Sequence, residues 1–289
     1  MKKAVILGCE NSHANYFADF IRTKRKYHDV EIIGAYSQES EALKKFCDKY
    51  KIKPMENYDS EVGNVDGVIV TARHGGNHLK YALPYFKDGM TAFIDKPVTI
   101  KEEEALAIVR EARKNNVKLT GGSSLRFAEM IENLSKRSKE EKGGRTIGGF
   151  MRFPVNMDNL YGGFFFYSQH LAESMGCVFG HYPVSVKAFR TEKTVTAVFR
   201  YENFDAVGVG TDGSYKYYAA RITENGTEGG EFEIADSSPC FLKEFDEFYE
   251  LLSGKAQVAS DSDFIAPVFV LNAIYRSLES GKEEKVHRF

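Results

Sequence analysis

The stretch Met90-Thr91-Ala92-Phe93-Ile94-Asp95-Lys96-Pro97 joins a short apolar run to an acid, a lysine and a proline. An apolar run of this length is typical of a buried strand, and a charged helix is predicted to begin near Ile100. Because α/β sheets place their ligand crevice at the carboxyl ends of their strands, Lys96 is predicted to lie there. Asp95 can hold its ammonium group, and Pro97 fixes the chain direction. The alternative is an ordinary turn that happens to contain charged residues. The sequence upstream distinguishes a ligand-site lysine from such a turn.

Residues 1–122 alternate between short apolar runs and longer stretches with helical periodicity. Such alternation with short connections predicts a parallel, doubly wound sheet, that is, a Rossmann-type α/β domain over residues 1–122. Ser12 is placed to cap the first helix. The predicted strands cover residues 4–8, 30–35, 66–70, 91–94 and 117–120, and the predicted helices cover 14–24, 39–49, 77–87 and 101–115.

Residues 123–289 follow another pattern, in which most segments read as strands separated by turns. Asn225-Gly226 is a strong hairpin signal. We therefore predict an α+β domain over residues 123–289 with an open, mainly antiparallel sheet, which serves substrate binding and oligomerisation. The predicted strands cover 147–155, 184–190, 195–201, 206–210, 217–222 and 230–234, and the predicted helices cover 125–139, 163–175, 240–252 and 262–280.

The composition is that of a soluble globular protein. Of 289 residues, 43% are hydrophobic and 28% are charged, and the net charge is -2. Because both signs are interspersed, no nucleic-acid or membrane partner is expected. No apolar run reaches the length of a membrane span, and the N-terminus lacks the pattern of a signal peptide. A cytoplasmic location is expected because the four cysteines show no C-x-x-C spacing and read as reduced thiols: Cys9, Cys47, Cys177 and Cys240.

The turn after the first strand, residues 8–13, reads Gly-Cys-Glu-Asn-Ser-His and bears on a dinucleotide cofactor. Only the first glycine of G-x-G-x-x-G is present, and Glu10 at the second glycine position would repel a diphosphate. An ordinary strand-to-helix turn capped by Ser12 is the alternative. The acid that usually binds the ribose after the second strand is missing. Ser37 with a nearby cation would suit a 2′-phosphate, although Gln38 is no cation, and this leans slightly towards NADP over NAD.

The order of these segments resembles the Gfo/Idh/MocA family, named for glucose–fructose oxidoreductase and inositol dehydrogenase. The resemblance spans most of the chain, and Asp95 is a mild variant of the family's Glu-Lys-Pro glutamate. The matching pieces, in order, are Asp66 to Ala72, His78 to Leu83, Asp88-Gly89, Asp95-Lys96-Pro97, Arg126-Phe127, Ile147-Gly148-Gly149, and Gly162-Gly163 followed by His170.

The resemblance implies an NAD(P)-binding first domain and a second domain that forms one wall of the substrate pocket. It implies that Lys96 points into the cleft beside the nicotinamide, and that the Lys96–Pro97 bond is cis. His170 would act as general acid/base on a substrate hydroxyl or carbonyl. The family often has an aspartate four residues before this histidine, where this chain has Phe166. The catalytic group is then either rebuilt with Glu173, one helical turn on, and Tyr167, or disabled.

These considerations define a set of candidate site residues. His74 and His78 have i, i+4 spacing, but no third ligand is in evidence, so no metal is expected. Catalytic roles fall to Lys96, His170, Glu173 and Tyr167, and substrate binding to Lys96, Arg126, Tyr161 and His170. Cofactor binding falls to Gly8, Glu10, Asn11, Ser12, His13, Ser37, Thr71, Ala72, His74, His78, Asp95, Lys96 and Pro97.

The sequence thus predicts an NAD- or NADP-dependent oxidoreductase that transfers a hydride to or from a sugar, polyol or related hydroxy compound. The alternative is a non-catalytic regulatory protein that senses a nucleotide or ligand on the same fold. A third interpretation is a family enzyme that uses redox chemistry only transiently, as in glycoside cleavage or elimination. A homo-oligomer, dimer or tetramer, is expected because an open sheet must cover its second face.

Overall fold

The computed structural model describes residues 1–257 and 259–289, which divide into two compact units. The first unit comprises residues 1–99, 103–122 and 238–264. The second comprises residues 100–102, 123–237 and 265–289. One boundary between the two units lies between Gly122 and Ser123. The sequence predicts residues 238–264 in the second domain, whereas they lie in the first unit.

The first unit contains a five-stranded sheet in which every pair is parallel. The spatial order is β2-β1-β3-β4-β5, so the direction of winding reverses between β1 and β3. Doubly wound sheets bind their ligands at the carboxyl ends of the strands at such a reversal. The strands are β1 (Lys2–Leu7), β2 (Val30–Tyr36), β3 (Gly67–Val70), β4 (Thr91–Asp95) and β5 (Lys118–Gly122). The predicted doubly wound fold is confirmed.

The helices of this unit differ from the prediction mainly in one place. The helix predicted over 77–87 is wrong in length, because α3 ends at Ala82 and a 3₁₀ turn with Pro84 follows. Proline has no N–H to continue the helical bonds. The helices are α1 (Ser12–Thr23), α2 (Ser40–Tyr50), α3 (His78–Ala82), α4 (Glu102–Lys114, with Glu102 in the second unit) and, later in the chain, α7 (Ser238–Leu252).

Aromatic side chains explain why α7 packs in the first unit. Phe245 is fully buried, with its ring 5.0 Å from that of Phe17 on α1. Phe248 is also fully buried, 6.4 Å from Phe93 on β4. Each buried phenylalanine contributes about 2 kcal/mol of apolar burial. The returning helix therefore completes the core between α1 and the sheet.

The second unit contains a seven-stranded sheet in the order β11-β10-β6-β9-β8-β7-β12. Its strand pairs are antiparallel except β6 with β9, which is parallel. The predicted open, mainly antiparallel sheet is confirmed. The strands are β6 (Thr146–Val155), β7 (Ser185–Arg190), β8 (Thr194–Arg200), β9 (Asp205–Asp212), β10 (Tyr217–Thr223), β11 (Gly226–Phe232) and β12 (Glu284–Lys285).

Three helices complete this unit: α5 (Glu129–Lys139), α6 (Phe165–Phe179) and α8 (Asp261–Ser280, entering the second unit at Ile265). The helix predicted over 125–139 is divided, since Ala128 is extended between a 3₁₀ turn and α5. Helix α6 lies closely on the sheet: a Cβ on Gly149 would be 2.1 Å from the Phe179 ring. Throughout residues 1–257 and 259–289, every helix falls short of the length and apolar character needed to cross a membrane.

Candidate functional site

The carboxyl ends of β1 and β3 meet at the reversal of the first sheet. The Thr71 N–H donates to Leu7 O at 2.7 Å, and Thr71 Oγ1 donates to Gly8 O at 3.0 Å. Gly8 has φ 99°, and a Cβ there would lie 2.1 Å from the backbone nitrogen of Ala72. Only glycine fits this position. Thr71 and Ala72 thus border the first turn, and their contact with a cofactor stays a prediction.

Helix α1 begins at this turn, at the carboxyl end of β1. Its N-cap is Asn11, and no side chain of the described chain caps it. The predicted Ser12 cap is wrong: Ser12 is the first helical residue, and its Oγ donates to Asn11 Oδ1 at 3.3 Å. Asn11 Nδ2 instead donates to Asp95 Oδ2 at 2.9 Å. The first turn of α1 carries no acid, so its N–H groups and dipole suit a phosphate.

Glu10 directs its carboxylate to the end of β2. Ser37 Oγ donates to Glu10 Oε2 at 2.7 Å, and the Arg73 N–H donates to Oε1 at 3.1 Å. Ser37 Oγ also accepts from the Glu39 N–H at 3.0 Å. The acid expected to repel a diphosphate is therefore held by two donors beside Ser37.

Arg73, at the end of β3, is a cation that the sequence interpretation missed. Its Nη2 donates to the backbone oxygen of Glu10 at 2.6 Å, and its Nη1 lies 3.4 Å from Glu39 Oε1. The signal was present, because Arg73 follows Thr71-Ala72 directly. It places a guanidinium within the same turn region as Glu10.

Lys96 belongs to a buried cluster of ionisable groups. Its backbone N–H donates to Asp95 Oδ1 at 2.6 Å, and its bond to Pro97 is cis, as the resemblance implied. His13 lies between two acids, with Nδ1 3.2 Å from Asp95 Oδ2 and Nε2 3.4 Å from Glu244 Oε2. Lys96 is 5% exposed, and Asp95 and Glu244 are fully buried.

Glu244 of α7 was not among the predicted site residues. The signal for it was an acid on the apolar face of a helix, between Phe241 and Phe245. Such a position is unusual for a carboxylate unless it has partners. Its assignment required knowing that α7 returns to the first unit.

Burial governs the protonation of this cluster. It raises the pKa of Asp95 to about 6 and lowers the pKa of His13 to about 4. Burial also lowers the pKa of the Lys96 ammonium, and the nearby Asp95 and Glu244 carboxylates oppose that shift. Perturbed groups gathered at the ligand end of a sheet are typical of a functional site.

The two histidines near α3 hold the backbone. His78 is fully buried, with Nε2 2.7 Å from Ala72 O and Nδ1 3.3 Å from Val98 O. Burial lowers its pKa to about 4, so the neutral ring donates through Nε2 in the shorter contact. His74 Nδ1 accepts from the Gly76 N–H at 3.1 Å. These bonds give both rings a structural role, and the predicted cofactor contacts of His74 and His78 gain no support from them.

In the second unit, His170 of α6 is fixed by a serine. Its Nδ1 lies 2.6 Å from Ser123 Oγ, and both residues are buried. Ser123 Oγ also accepts from the Leu125 N–H at 3.2 Å. Ser123 was missed because nothing in the local pattern links it to a histidine 47 residues away.

Glu173 contacts Ser123 and its neighbours. Its Oε2 accepts from the Ser123 N–H at 2.8 Å and from Gln169 Nε2 at 3.0 Å, and its Oε1 lies 3.4 Å from Arg126 Nε. The carboxylate therefore holds the segment that carries Ser123. The predicted partnership of Glu173 with His170 takes an indirect form, through that serine.

Aromatic residues surround His170 on α6. The Tyr167 ring centroid is 6.3 Å from that of His170, and Tyr215 Oη donates to Tyr167 Oη at 3.4 Å. Burial raises the pKa of Tyr167 to about 12, which keeps the phenol neutral. The Tyr161 and Phe166 rings lie 5.7 Å apart. Among the described residues, no group of three His, Cys, Asp or Glu is arranged to hold a metal ion.

Comparison with known families finds a match over the first part of the chain. A model for the Gfo/Idh/MocA family, described as an oxidoreductase family with a NAD-binding Rossmann fold, matches residues 2–123. This segment, less than half of the chain, is therefore similar to that family. The match confirms the resemblance inferred from the sequence, with its oxidoreductase class and nicotinamide cofactor. No curated protein sequence matches the chain.

Solved structures of dehydrogenases share the fold of the whole chain. The scyllo-inositol dehydrogenase from Lactobacillus casei with bound NAD(H) and scyllo-inositol is 16% identical, with a TM-score of 0.86 and 99% of each chain covered. The myo-inositol dehydrogenase from the same organism, in complex with NAD(H) and myo-inositol, is 15% identical, with a TM-score of 0.85, 100% of this chain and 98% of that one covered. A myo-inositol dehydrogenase from Corynebacterium glutamicum is 13% identical, with a TM-score of 0.84 over both full chains.

Proposed function

We propose that this protein is an NAD-dependent dehydrogenase or reductase of polyols, with inositols as the first substrates to test. The observation that carries the proposal is the buried lysine, Lys96, at the end of β4 within a NAD-binding Rossmann domain. The inositol-bound relatives support the substrate class. A small hydroxylated molecule, rather than a nucleic acid or membrane, is the proposed partner.

The residues of the first turn fit a dinucleotide. Gly8 brings the backbone against Ala72, and α1 offers a first turn without an acid. The backbone at Gly8 and the N–H groups that begin α1 would hold the diphosphate, with Thr71 and Ala72 at its side. When bound, the nicotinamide supplies the hydride acceptor or donor.

Lys96 serves the substrate oxygen in this proposal. An ammonium stabilises the negative charge that develops on a hydroxyl oxygen as its carbon loses hydride. Burial lowers the Lys96 pKa and so makes its proton easier to transfer. Asp95 and His13 hold the lysine segment in place through the contacts at the end of β4.

His170 acts as general acid/base in this proposal. Because Ser123 occupies Nδ1, Nε2 is the ring nitrogen that takes the hydroxyl proton or returns it. Tyr167, as a neutral phenol, donates a hydrogen bond to a substrate oxygen, while Tyr161 and Arg126 add polar contacts to the substrate.

Turnover with NAD and a panel of inositols, other polyols and sugars tests the proposal. Lys96→Ala should lower kcat/KM by roughly 10²–10³-fold, the range for loss of one oxyanion donor. Lys101→Ala, with an exposed lysine beyond the site, is the matched control and should keep full activity. Full activity of Lys96→Ala with an intact fold would show that the lysine is misassigned.

A binding protein without turnover is the second candidate, favoured by Phe166. This residue packs on Tyr161 and stands where the family aspartate would assist the histidine. Tight NAD binding without turnover on any of the panel would favour this candidate. Formation of reduced nicotinamide with any substrate would exclude it.

A homo-oligomer, dimer or tetramer, is proposed from the sheet of the second unit. Helix α6 covers the face to which Gly149 and Gly208 belong. The other face carries Arg152 and Thr196 together with five apolar, only partly buried side chains: Phe150, Val198, Val207, Val209 and Tyr218. Light scattering should report a dimer or tetramer, and a monomer at micromolar concentration would contradict this. The cytoplasmic location stays a prediction, consistent with four cysteines that form no disulfide in the described chain.

A further inference from the structure

The ribose end of the dinucleotide site has an unusual arrangement of acids. Dinucleotide sites normally take an acid from the end of the second strand, which binds the adenosine ribose hydroxyls. This chain has Ser37 there, and it has Glu10 where the phosphate turn normally has glycine. These two unusual residues are in contact, since Ser37 Oγ donates to the Glu10 carboxylate at 2.7 Å.

We propose that Glu10 replaces the missing acid of β2: it binds the ribose hydroxyls, and it makes the site selective for NAD against NADP. The inference rests on the proposed function as a nicotinamide-dependent enzyme. This inference reverses the slight preference for NADP that the sequence analysis based on Ser37. The Ser37 hydroxyl donates its hydrogen to the Glu10 carboxylate, so it is not offered to a 2′-phosphate.

The hydrogen bonds of Glu10 leave it able to bind ribose. Each carboxylate oxygen accepts about two hydrogen bonds. Oε2 receives one from Ser37 and Oε1 receives one from the Arg73 N–H. One acceptor position per oxygen matches the two hydroxyl donors of an unmodified ribose. Glu10 is only partly buried, so a ligand can reach it.

The charges around Glu10 disfavour a 2′-phosphate. Glu39 lies on the same side, since its N–H donates to Ser37 Oγ at 3.0 Å. The guanidinium of Arg73 is 3.4 Å from the Glu39 carboxylate and also donates to the Glu10 backbone oxygen. Two carboxylates and one guanidinium leave a net negative charge, and the Ser37 hydrogen is already donated to Glu10. A phosphate dianion would therefore meet repulsion.

Calorimetric titration of NAD and NADP into the full-length protein tests this inference. NAD should bind about 10- to 100-fold more tightly than NADP, as one or two partly screened like-charge contacts would give. Glu10→Gln keeps the shape and removes the charge. It should lower the ratio of NAD to NADP affinity by about tenfold. Glu31→Gln removes an exposed carboxylate at the other end of β2 and should leave the ratio unchanged.

The outcomes separate this inference from the proposed function. Equal affinities, tighter binding of NADP, or an unchanged ratio in Glu10→Gln would overturn the role of Glu10 while leaving the enzyme proposal in place. Absence of binding by either nucleotide at millimolar concentration would overturn the proposed function itself, and this inference with it.

Discussion

Replacement of His13 by asparagine tests the charge state of the buried cluster at the end of β4. His13 is 3% exposed and lies 3.2 Å from Asp95. Burial lowers the pKa of His13 to about 4, whereas a histidine of the unfolded chain titrates near 6.5. Burial raises the pKa of Asp95 to about 6, against about 3.9 in the unfolded chain. The two shifts have opposite signs.

The signs determine how each group changes stability with pH. Below about pH 6.5 the unfolded chain protonates His13 but the folded protein does not, so stability present above that pH is lost as pH falls towards about 4. Asp95 behaves oppositely: the folded protein protonates it first, so its contribution is present below about pH 3.9 and is lost as pH rises through about 6. Between about pH 4 and 6 the two contributions cancel in the wild type.

The magnitude follows from the linkage between protons and folding. A difference of one bound proton changes the free energy of unfolding by about 1.4 kcal/mol per pH unit. His13→Asn removes the His13 contribution and keeps that of Asp95, whose pKa burial still raises. Relative to wild type, its free energy of unfolding should therefore rise by about 3 kcal/mol as pH falls from about 6.5 to 4. Asp95→Asn is the reciprocal variant, and its relative stability should fall between about pH 6 and 4.

Urea unfolding of the wild type and both variants at a series of pH values measures these slopes. Titrating groups remote from His13 and Asp95 are common to all three proteins and drop out of the differences. A difference between His13→Asn and wild type that does not vary with pH would refute the reasoning, because it would mean that His13 titrates alike in the folded and unfolded states.

Two further predictions concern the serine beside His170 and the first glycine. Ser123→Ala removes the hydroxyl that lies 2.6 Å from His170 Nδ1. Its kcat should fall about tenfold, which is a fraction of the effect of general acid/base catalysis, and its pH–rate profile should be displaced. Ser123→Thr should restore the profile, and an unchanged profile in Ser123→Ala would contradict the positioning role. Gly8→Ala should lower the free energy of unfolding by more than about 3 kcal/mol, because its Cβ would meet Ala72 N at 2.1 Å. Gly89→Ala, equally left-handed but with nothing within 4 Å, should cost about 1 kcal/mol in urea unfolding, and equal losses would show that the clash at Gly8 is unimportant.

The alternation of the first 122 residues was sufficient to predict the first sheet. Strand β4 illustrates why: five buried residues between polar turns have no other low-energy place than the centre of a parallel sheet. The partner of α7 could not be predicted in the same way. The apolar face formed by Phe241, Phe245 and Phe248 would fit either sheet, so its place in the first unit is a property of tertiary packing.

Some residues of the candidate site could likewise be predicted from local sequence, and others could not. Lys96 and His170 could be proposed because each stands in a local motif with a family resemblance. Their supporting groups lie far away in sequence: Ser123 is 47 residues from His170, and Arg73 is 63 residues from Glu10. Local periodicity carries no information on such pairs, and only the folded chain brings them together.

The most direct test of the central claim is the formation of reduced nicotinamide by the wild-type protein with NAD and each of the inositols, other polyols and sugars. The account predicts that at least one cyclic polyol is oxidised, and that Lys96→Ala loses nearly all of this activity while keeping its fold. A protein that binds NAD tightly yet reduces none of it with any compound of the panel would contradict the claim.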